Sequence, residues 1–298
     1  MIEIKIKTNS QMASQKALII LVSVLMISFY SVFSIGPMIY AFVGSFADWN
    51  PIKDTFQFIQ FNNYIHLFNN QLFWKSLKNT IYFVAVVVTG RVVLGFLIAL
   101  GLNSIRKYKS MMRSLYFLPV IMPIVAVALV WKWLYDPNIG FFQMVLSAFG
   151  ITNVKFLFDP DLALPSIMLM TIWKDVGYAV IIFLAGLMDV PQSIIEASEI
   201  DGANKRQQLW NIIIPTLKPT LIFVIITSII SYFQTFTQIF IMTKGGPGTS
   251  THVLLYMIYR EAFQYYRFGY ASAITVCLFI VIMIVTFIQF KIMKGGEV

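Results

Sequence analysis

Six mostly apolar stretches, each about 20 residues or longer, set the limits on what this chain can fold into: residues 17–43, 80–100, 115–134, 164–187, 220–242 and 271–290. About 20 such residues are what an α-helix needs to cross a bilayer. Inside lipid, each backbone N–H and C=O must find its partner within the protein, so a stretch of this kind spans as a helix. Composition points the same way. The 298 residues are 58% hydrophobic and only 12% charged, with a mean hydropathy of +0.78. Soluble domains carry about a quarter of their residues as charges. The expected fold is an all-α integral membrane protein of six transmembrane helices. Residues 1–16 and 291–298 flank one membrane domain, residues 17–290.

Lysine and arginine orient the spans. With six crossings, one side receives twelve of them: Lys5, Lys7, Lys16, Arg106, Lys107, Lys109, Arg113, Lys205, Arg206, Lys218, Lys291 and Lys294. The other side receives seven: Lys53, Lys75, Lys78, Lys155, Lys244, Arg260 and Arg267. Short loops follow the positive-inside rule best, and the loop carrying Arg106, Lys107, Lys109 and Arg113 is short. Both termini are therefore expected in the cytoplasm, in a bacterial plasma (inner) membrane. The net charge of +9 follows from this topology and gives no reason to expect nucleic acid as a partner. The first apolar run far exceeds the 7–15 residues of a secretory h-region, so an uncleaved first span is expected. Aromatic belts account for Trp49, Trp74, Trp131 and Trp133 near the outer ends, on interfacial helices or short caps.

Much chemistry is missing. Cys277 is the single cysteine and lies inside an apolar run, which rules out an internal disulfide. His66 and His252 are far apart in sequence, without ligand-like neighbours, so a metal site is not expected. No Walker-type phosphate loop, zinc-protease or nucleophile-elbow motif occurs. The glycines after Lys244 read as a turn. Any uphill transport must draw its energy from an ion gradient or a partner, and no cofactor is expected on this chain.

Two polar features interrupt the apolar pattern. The first is residues 189–219, which bring Glu196, Glu199, Asp201, Lys205 and Arg206 between the fourth and fifth spans. Pro191 suits a first helical position, Gly202 a left-handed stop, and Asn204 the cap of a second helix running to about Ile214. Pro215 and Pro219 punctuate the approach to the next span. The expected element is a polar helical hairpin on the cytoplasmic side.

The second feature lies within the spans. Arg91, near mid-span, can hardly snorkel and needs a protein or water partner. Lys132, near a span end, can snorkel. Lys174 and Asp175 point about 100° apart on a helix and need not pair with each other. An ion-pair role and a substrate-path role both remain open for them. Ser228, Tyr232 and Thr235 follow i, i+4, i+7 spacing and share a face, with Gln234 beside them. Such a stripe suits either an uncharged hydroxylated ligand or hydrogen bonding between helices.

The hairpin also carries a resemblance. Glu196-Ala197-Ser198, Asp201-Gly202-Ala203, then Ile212, Ile214 and Pro215 resemble the EAA loop of ABC-importer permeases in spacing throughout. Ser198 and Ile214 are mild departures. A second block, Ile241 to Pro247 followed by Ser250-Thr251, Tyr259, Ala262-Phe263 and Phe268 to Ala273, resembles carbohydrate-uptake permeases of the maltose-transporter type, specifically the MalF-like member. The resemblance runs from about residue 15 onward and matches a shorter six-span form.

The resemblance implies that the EAA loop forms two coupling helices docking on a cytoplasmic ATPase. Glu196 would be the charged contact and Gly202 the turn, with Ala197 and Ala203 allowing close packing; Asp201 and Pro215 complete the motif. It implies as partners a homologous MalG-like permease, two ATPase subunits holding ATP and Mg, an extracytoplasmic solute-binding protein and a carbohydrate. By position it places sugar contacts at Tyr178, Ser228, Tyr232 and Thr235, with Lys174, Asp175 and Gln234 as further candidates. Aromatic faces and hydroxyls suit sugar recognition. The competing readings are an ion-driven transporter working through Arg91, Lys174 and Asp175, and an ABC permease for a glycerol phosphodiester or a polyamine.

Overall fold

The computed structural model describes the backbone of residues 2–105 and 109–294, and side chains over 15–105 and 110–291. Arg106 and Lys107, together with the side chains of Lys5, Lys7, Lys109 and Lys294, lie outside the described residues, as does the end of the 291–298 tail.

In chain order the helices are α1 (Ile2–Tyr30), α2 (Gly36–Gly44), α3 (Asn62–Phe68), α4 (Gln71–Ser104), α5 (Lys109–Ile121), α6 (Ile124–Leu134), α7 (Phe141–Ala148) and α8 (Ala163–Met188). They continue as α9 (Gln192–Ile200), α10 (Lys205–Gln208), α11 (Ile214–Thr216), α12 (Lys218–Phe233), α13 (Thr237–Met242), α14 (Leu254–Tyr259) and α15 (Phe268–Lys294). Between α2 and α3 runs an antiparallel hairpin, β1 (Ala47–Asn50) with β2 (Thr55–Phe58), in the register Ala47↔Phe58 to Asn50↔Thr55.

Four unbroken helical segments are long and apolar enough to span: Gln15–Gly44, Gln71–Ser104, Ala163–Met188 and Phe268–Lys291. The other two expected spans are broken. Residues Ser110–Ile121 and Ile124–Leu134 meet at 94°. Pro123 has no N–H to continue the helix and pushes Met122 out of the helical region. The second bend lies at the entry to the fifth span, where residues Lys205–Thr216 and Lys218–Phe233 meet at 63°; that span ends at Phe233, and α13 resumes after Phe236 in a non-helical conformation (φ −143, ψ −58). Counting each bent pair as one span gives up to six.

Packing divides the chain into two compact units, one reaching to Leu67 and including Glu261–Val276, the other comprising Phe68–Arg260 and the segment from Cys277 onward. In the first unit, residues 15–40 are all exposed. The β-hairpin replaces the helices or caps expected there. Asn50 Oδ1 accepts from Ile52 and Lys53 N–H (3.0 and 3.2 Å) and sets the turn. Trp49 packs on Tyr40 and Phe268.

The second unit is built on α4 and α8. Asn70 caps α4 by accepting from Leu72 N–H (2.9 Å). Phe73, Thr80, Phe83, Val87, Arg91, Gly95, Ala99 and Leu102 form its buried stripe at helical spacing. Small residues bring the helices close: a Cβ on Gly95 would come within 2.7 Å of Ala179 Cβ, and one on Gly177 would collide with the Tyr116 carbonyl. Ala99, Leu102, Ala179, Val180, Phe183, Leu184, Leu217 and Val224 make one apolar core. Leu217, just past α11, anchors the far end of the polar hairpin in it.

Candidate functional site

The hairpin between α8 and α12 takes its shape from capping. Pro191 occupies the N-cap (φ −62, ψ 123), so the first helix starts one residue later than expected, at Gln192. Gly202 adopts φ +80, where a side chain would be strained. Around it, Ala203 N–H donates to the Ser198 carbonyl (2.9 Å) and Gly202 N–H to that of Glu199 (3.1 Å). This pair of bonds is a Schellman closure. Asn204 then opens the second helix with a reciprocal capping box: its Oδ1 accepts from Gln207 N–H (2.9 Å), and Gln207 Oε1 accepts from Asn204 N–H (2.8 Å). Helical geometry continues through a π-turn, Leu209–Ile213, to Thr216.

Within the hairpin, buried Gln208 donates through Nε2 to Ser198 Oγ (3.1 Å), and Ser198 Oγ donates to the Ile195 carbonyl (2.7 Å). Ser198, a departure from the alanine of the EAA pattern, thus locks the two helices together. Lys205 Nζ reaches Glu199 Oε1 (2.6 Å) on the surface. Hydrogen bonds from Lys205 and then Gln208, with the Lys205 charge, hold the Glu199 carboxyl below its ordinary value. Glu196, Ala197, Asp201 and Pro215 are exposed and Ala203 is half-buried. Beside them stand apolar side chains in the open: Ile200 is 87% exposed and Trp210 60%. An ordered polar surface studded with exposed apolar groups has the character of a docking face.

The second set of residues meets at Arg91. Arg91 is buried where α4 packs on α8 and α12, the residue retaining 6% exposure. Nη1 donates to Ser228 Oγ (3.1 Å) and Tyr232 OH (3.4 Å). The same group lies over the Tyr178 ring (4.9 Å to the centroid) and the Tyr232 ring (5.7 Å), a cation–π arrangement. Tyr232 OH donates to Asp175 Oδ2 (3.1 Å), and Lys174 Nζ bridges Asp175 Oδ1 (3.2 Å) and the Val120 carbonyl (3.3 Å). The bend after α5 deprives its last carbonyls of helical donors, and Lys174 supplies one. Lys174 and Asp175 therefore do pair, because the long lysine stem folds over a spacing that separates the Cβ directions.

Tyr178 and Asp175 are the open side of this cluster, Tyr178 being 38% exposed. Thr235 is not part of it. The shared face of Ser228 and Tyr232 stops where α12 ends at Phe233, and Thr235 Oγ1 instead accepts from Gln238 Nε2. Gln234 caps α12 and is exposed. The hub, Arg91, was the residue that position in the sequence could flag but not connect; its mid-span charge was the only signal.

Three comparisons bear on this arrangement. The family model "Binding-protein-dependent transport system inner membrane component" matches residues 91–294. The multiple sugar-binding transport system permease protein MsmF of Streptococcus mutans is 34% identical over 272 residues, covering 90% of this chain and 92% of that protein. The trehalose/maltose transport system permease protein MalF of Thermococcus litoralis is 32% identical over 238 residues, covering 79% of each chain. Among solved structures, a chain of a bacterial alginate ABC transporter, crystallised with an alginate pentasaccharide-bound periplasmic protein, superposes with a TM-score of 0.82 over 93% of both chains. At 23% identity that likeness speaks to the fold.

Proposed function

Because the chain belongs to the family of binding-protein-dependent transport system inner membrane components, and so is a multi-pass inner-membrane permease subunit of an ABC importer whose ATPase is a separate polypeptide, we propose that its cargo is a carbohydrate and that the 192–216 hairpin receives the ATPase. The observation that carries the coupling half is the hairpin itself. It is closed by a Schellman turn and a capping box, exposes Glu196, Ile200 and Trp210, and passes through a 63° bend at Leu217, which is itself buried in the α4–α8–α12 core. A rigid lever of this kind passes displacement to helices without dissipating it in loop motion. In this reading Glu196 meets a cation of the ATPase, and both termini and the hairpin face the cytoplasm. A homologous MalG-like permease, two ATPase subunits with ATP and Mg, and an extracytoplasmic solute-binding protein complete the machine.

The cargo half rests on the Arg91 cluster and on relatives whose names specify sugars. Tyr178 offers a partly exposed aromatic ring, with Arg91 over one face, and Asp175 a carboxylate whose partners hold it in place, a pairing suited to stacking on a pyranose ring and accepting its hydroxyls. Ser228 and Tyr232 act by orienting Arg91 and Asp175, while Thr235 and Gln234 stand outside the cluster. The interlocking of Arg91, Asp175 and Lys174 favours this over an ion-driven cycle, since their charges already serve one another. The test is uptake of labelled mono- and oligosaccharides into proteoliposomes holding the assembled transporter. Uptake that needs internal ATP and is indifferent to proton or sodium gradients is expected. Uptake driven by an ion gradient without ATP, or confined to polyamines or glycerol phosphodiesters, would overturn it.

A further inference from the structure

A cavity of about 380 Å³ opens at the far end of the helical unit from the hairpin. Its lining includes Lys132 at the end of α6, Asp136, Phe158, and Thr243 and Lys244 after α13. Phe158 precedes α8 and the hairpin follows it. At 1.5 Å per residue, the helix between them spans roughly 39 Å, about the thickness of a membrane.

The loop bearing Lys244 is firmly built. Lys244 itself has φ +51, a conformation that glycine or asparagine adopts far more readily than lysine. Its N–H donates to the Ile239 carbonyl (2.8 Å), and its carbonyl accepts from Tyr256 OH (2.7 Å). Gly245 follows at φ +81, where a Cβ would come within 2.5 Å of the His252 ring and 2.6 Å of Tyr256. Thr251 Oγ1 donates to the Gly246 carbonyl (2.8 Å), and Asn79 Nδ2 reaches the carbonyls of Ser250 and His252 (3.0 and 2.9 Å). The backbone is thus pinned while the lysine side chain is left free to face the cavity.

Charge completes the picture. Among the described residues, neither Lys132 nor Lys244 has a carboxylate within ion-pair distance. Asp136, the acid on the same cavity, spends Oδ1 on the N–H groups of Asn138 and Ile139 (2.9 and 3.1 Å). On the orientation proposed above, this is the outer side, where the positive-inside rule depletes lysine. Two lysines against one carboxylate leave the cavity lining net positive there, and one of the lysines sits on a strained backbone; together these point to an anionic ligand. We propose that this cavity is an outer-mouth subsite for the anionic group of an acidic, sugar-sized solute, with Lys132 and Lys244 as its counter-charges. The volume fits a small solute, since ligand cavities run from about 300 to 1,000 Å³. Carboxylate, sulfonate and phosphate share the required chemistry; a sugar acid supplies the first.

The inference narrows the carbohydrate reading to acidic cargo and rests on it for orientation, but its test needs no transport. Full-length protein in lipid nanodiscs is titrated with D-glucuronate, D-glucose and sodium sulfate at matched ionic strength, with binding followed by calorimetry. Glucuronate is expected to bind at least about tenfold more tightly than either glucose or sulfate, and more weakly as salt rises. Lys132→Gln and Lys244→Asn should each lose about tenfold for glucuronate while leaving glucose unchanged. Asparagine tolerates the left-handed backbone, so Lys244→Asn keeps the loop, and Lys132→Gln sits on a regular helix end. Equal affinity for glucuronate and glucose would overturn the proposal. So would sulfate binding as tightly as glucuronate, or lysine variants that bind glucuronate normally. Failure of carbohydrate import would instead appear as absent sugar uptake in proteoliposomes, whatever these titrations give.

Discussion

The same residue types do opposite work in two parts of one helical unit. Around Arg91 the charges are interlocked, with Arg91 and Lys174 withdrawn from water and Asp175 on the open side: arginine with two tyrosines and a serine, tyrosine with aspartate, aspartate with lysine, lysine with a freed carbonyl. On the hairpin, Glu196, Asp201 and Arg206 stand in solvent, and shape comes from the backbone closures at Gly202 and Asn204. Removing a charge from the first region should therefore unsettle the fold. Removing one from the second should leave the fold intact and disturb only what docks there. Buried polar networks are costly when half-satisfied, whereas exposed ion pairs contribute little.

The sharpest break would come at Arg91. Arg91→Ala strands Tyr232 and Ser228 without their donor and opens a void beside Tyr178, so stability should fall by about 3 kcal/mol. Thermal unfolding in nanodiscs reads this directly, and an unchanged midpoint would place Arg91 outside the supporting framework. A smaller effect is expected at Gly202→Ala, which puts a side chain at φ +80 and should cost about 1 kcal/mol, confined to the hairpin. Hydrogen exchange should quicken in residues 198–208 and stay level in α4 and α8. Exchange that rises across the whole unit would erase the contrast between the regions.

The smallest effect is electrostatic. The Glu199 carboxyl is held below its ordinary value, so the bond from Lys205 supports the hairpin above the unfolded carboxylate pKa of about 4.3 and is lost as pH falls through the lower folded value. Hairpin protection, taken relative to the intrinsic exchange rate at each pH, should fall on acidification through that window, and Lys205→Ala should remove this acid dependence without moving the unfolding midpoint. A midpoint shift comparable to that of Arg91→Ala would make the surface pair structural after all.

How much of this was legible in the sequence follows from how local each determinant is. The hairpin could be read residue by residue, because Gly202 and Asn204 act on their immediate neighbours. The unbroken spans were legible from length and hydrophobicity. The breaks were harder: Pro119 and Pro123 sit in a run apolar enough to pass as continuous, and a 94° turn leaves hydropathy untouched. The end of α12 at Phe233 carries no proline or glycine at all, so spacing alone extended the Ser228–Tyr232 face to Thr235. The β1–β2 hairpin lies in an aromatic-rich segment that reads equally as an interfacial cap. The meeting of Arg91 with Tyr232 joins residues 141 positions apart, beyond the reach of any local pattern.

The central claim is that the hairpin, while contributing little to the fold, is where work done by a separate ATPase enters this subunit. ATP-dependent sugar uptake by proteoliposomes carrying Glu196→Lys tests it most directly, with the unfolding midpoint measured on the same preparation. Charge reversal at this exposed position should reduce uptake by at least about tenfold, equivalent to 1.4 kcal/mol of lost docking, and leave the midpoint where it is in the wild type. Uptake at the wild-type rate, or a midpoint that falls together with uptake, would contradict it.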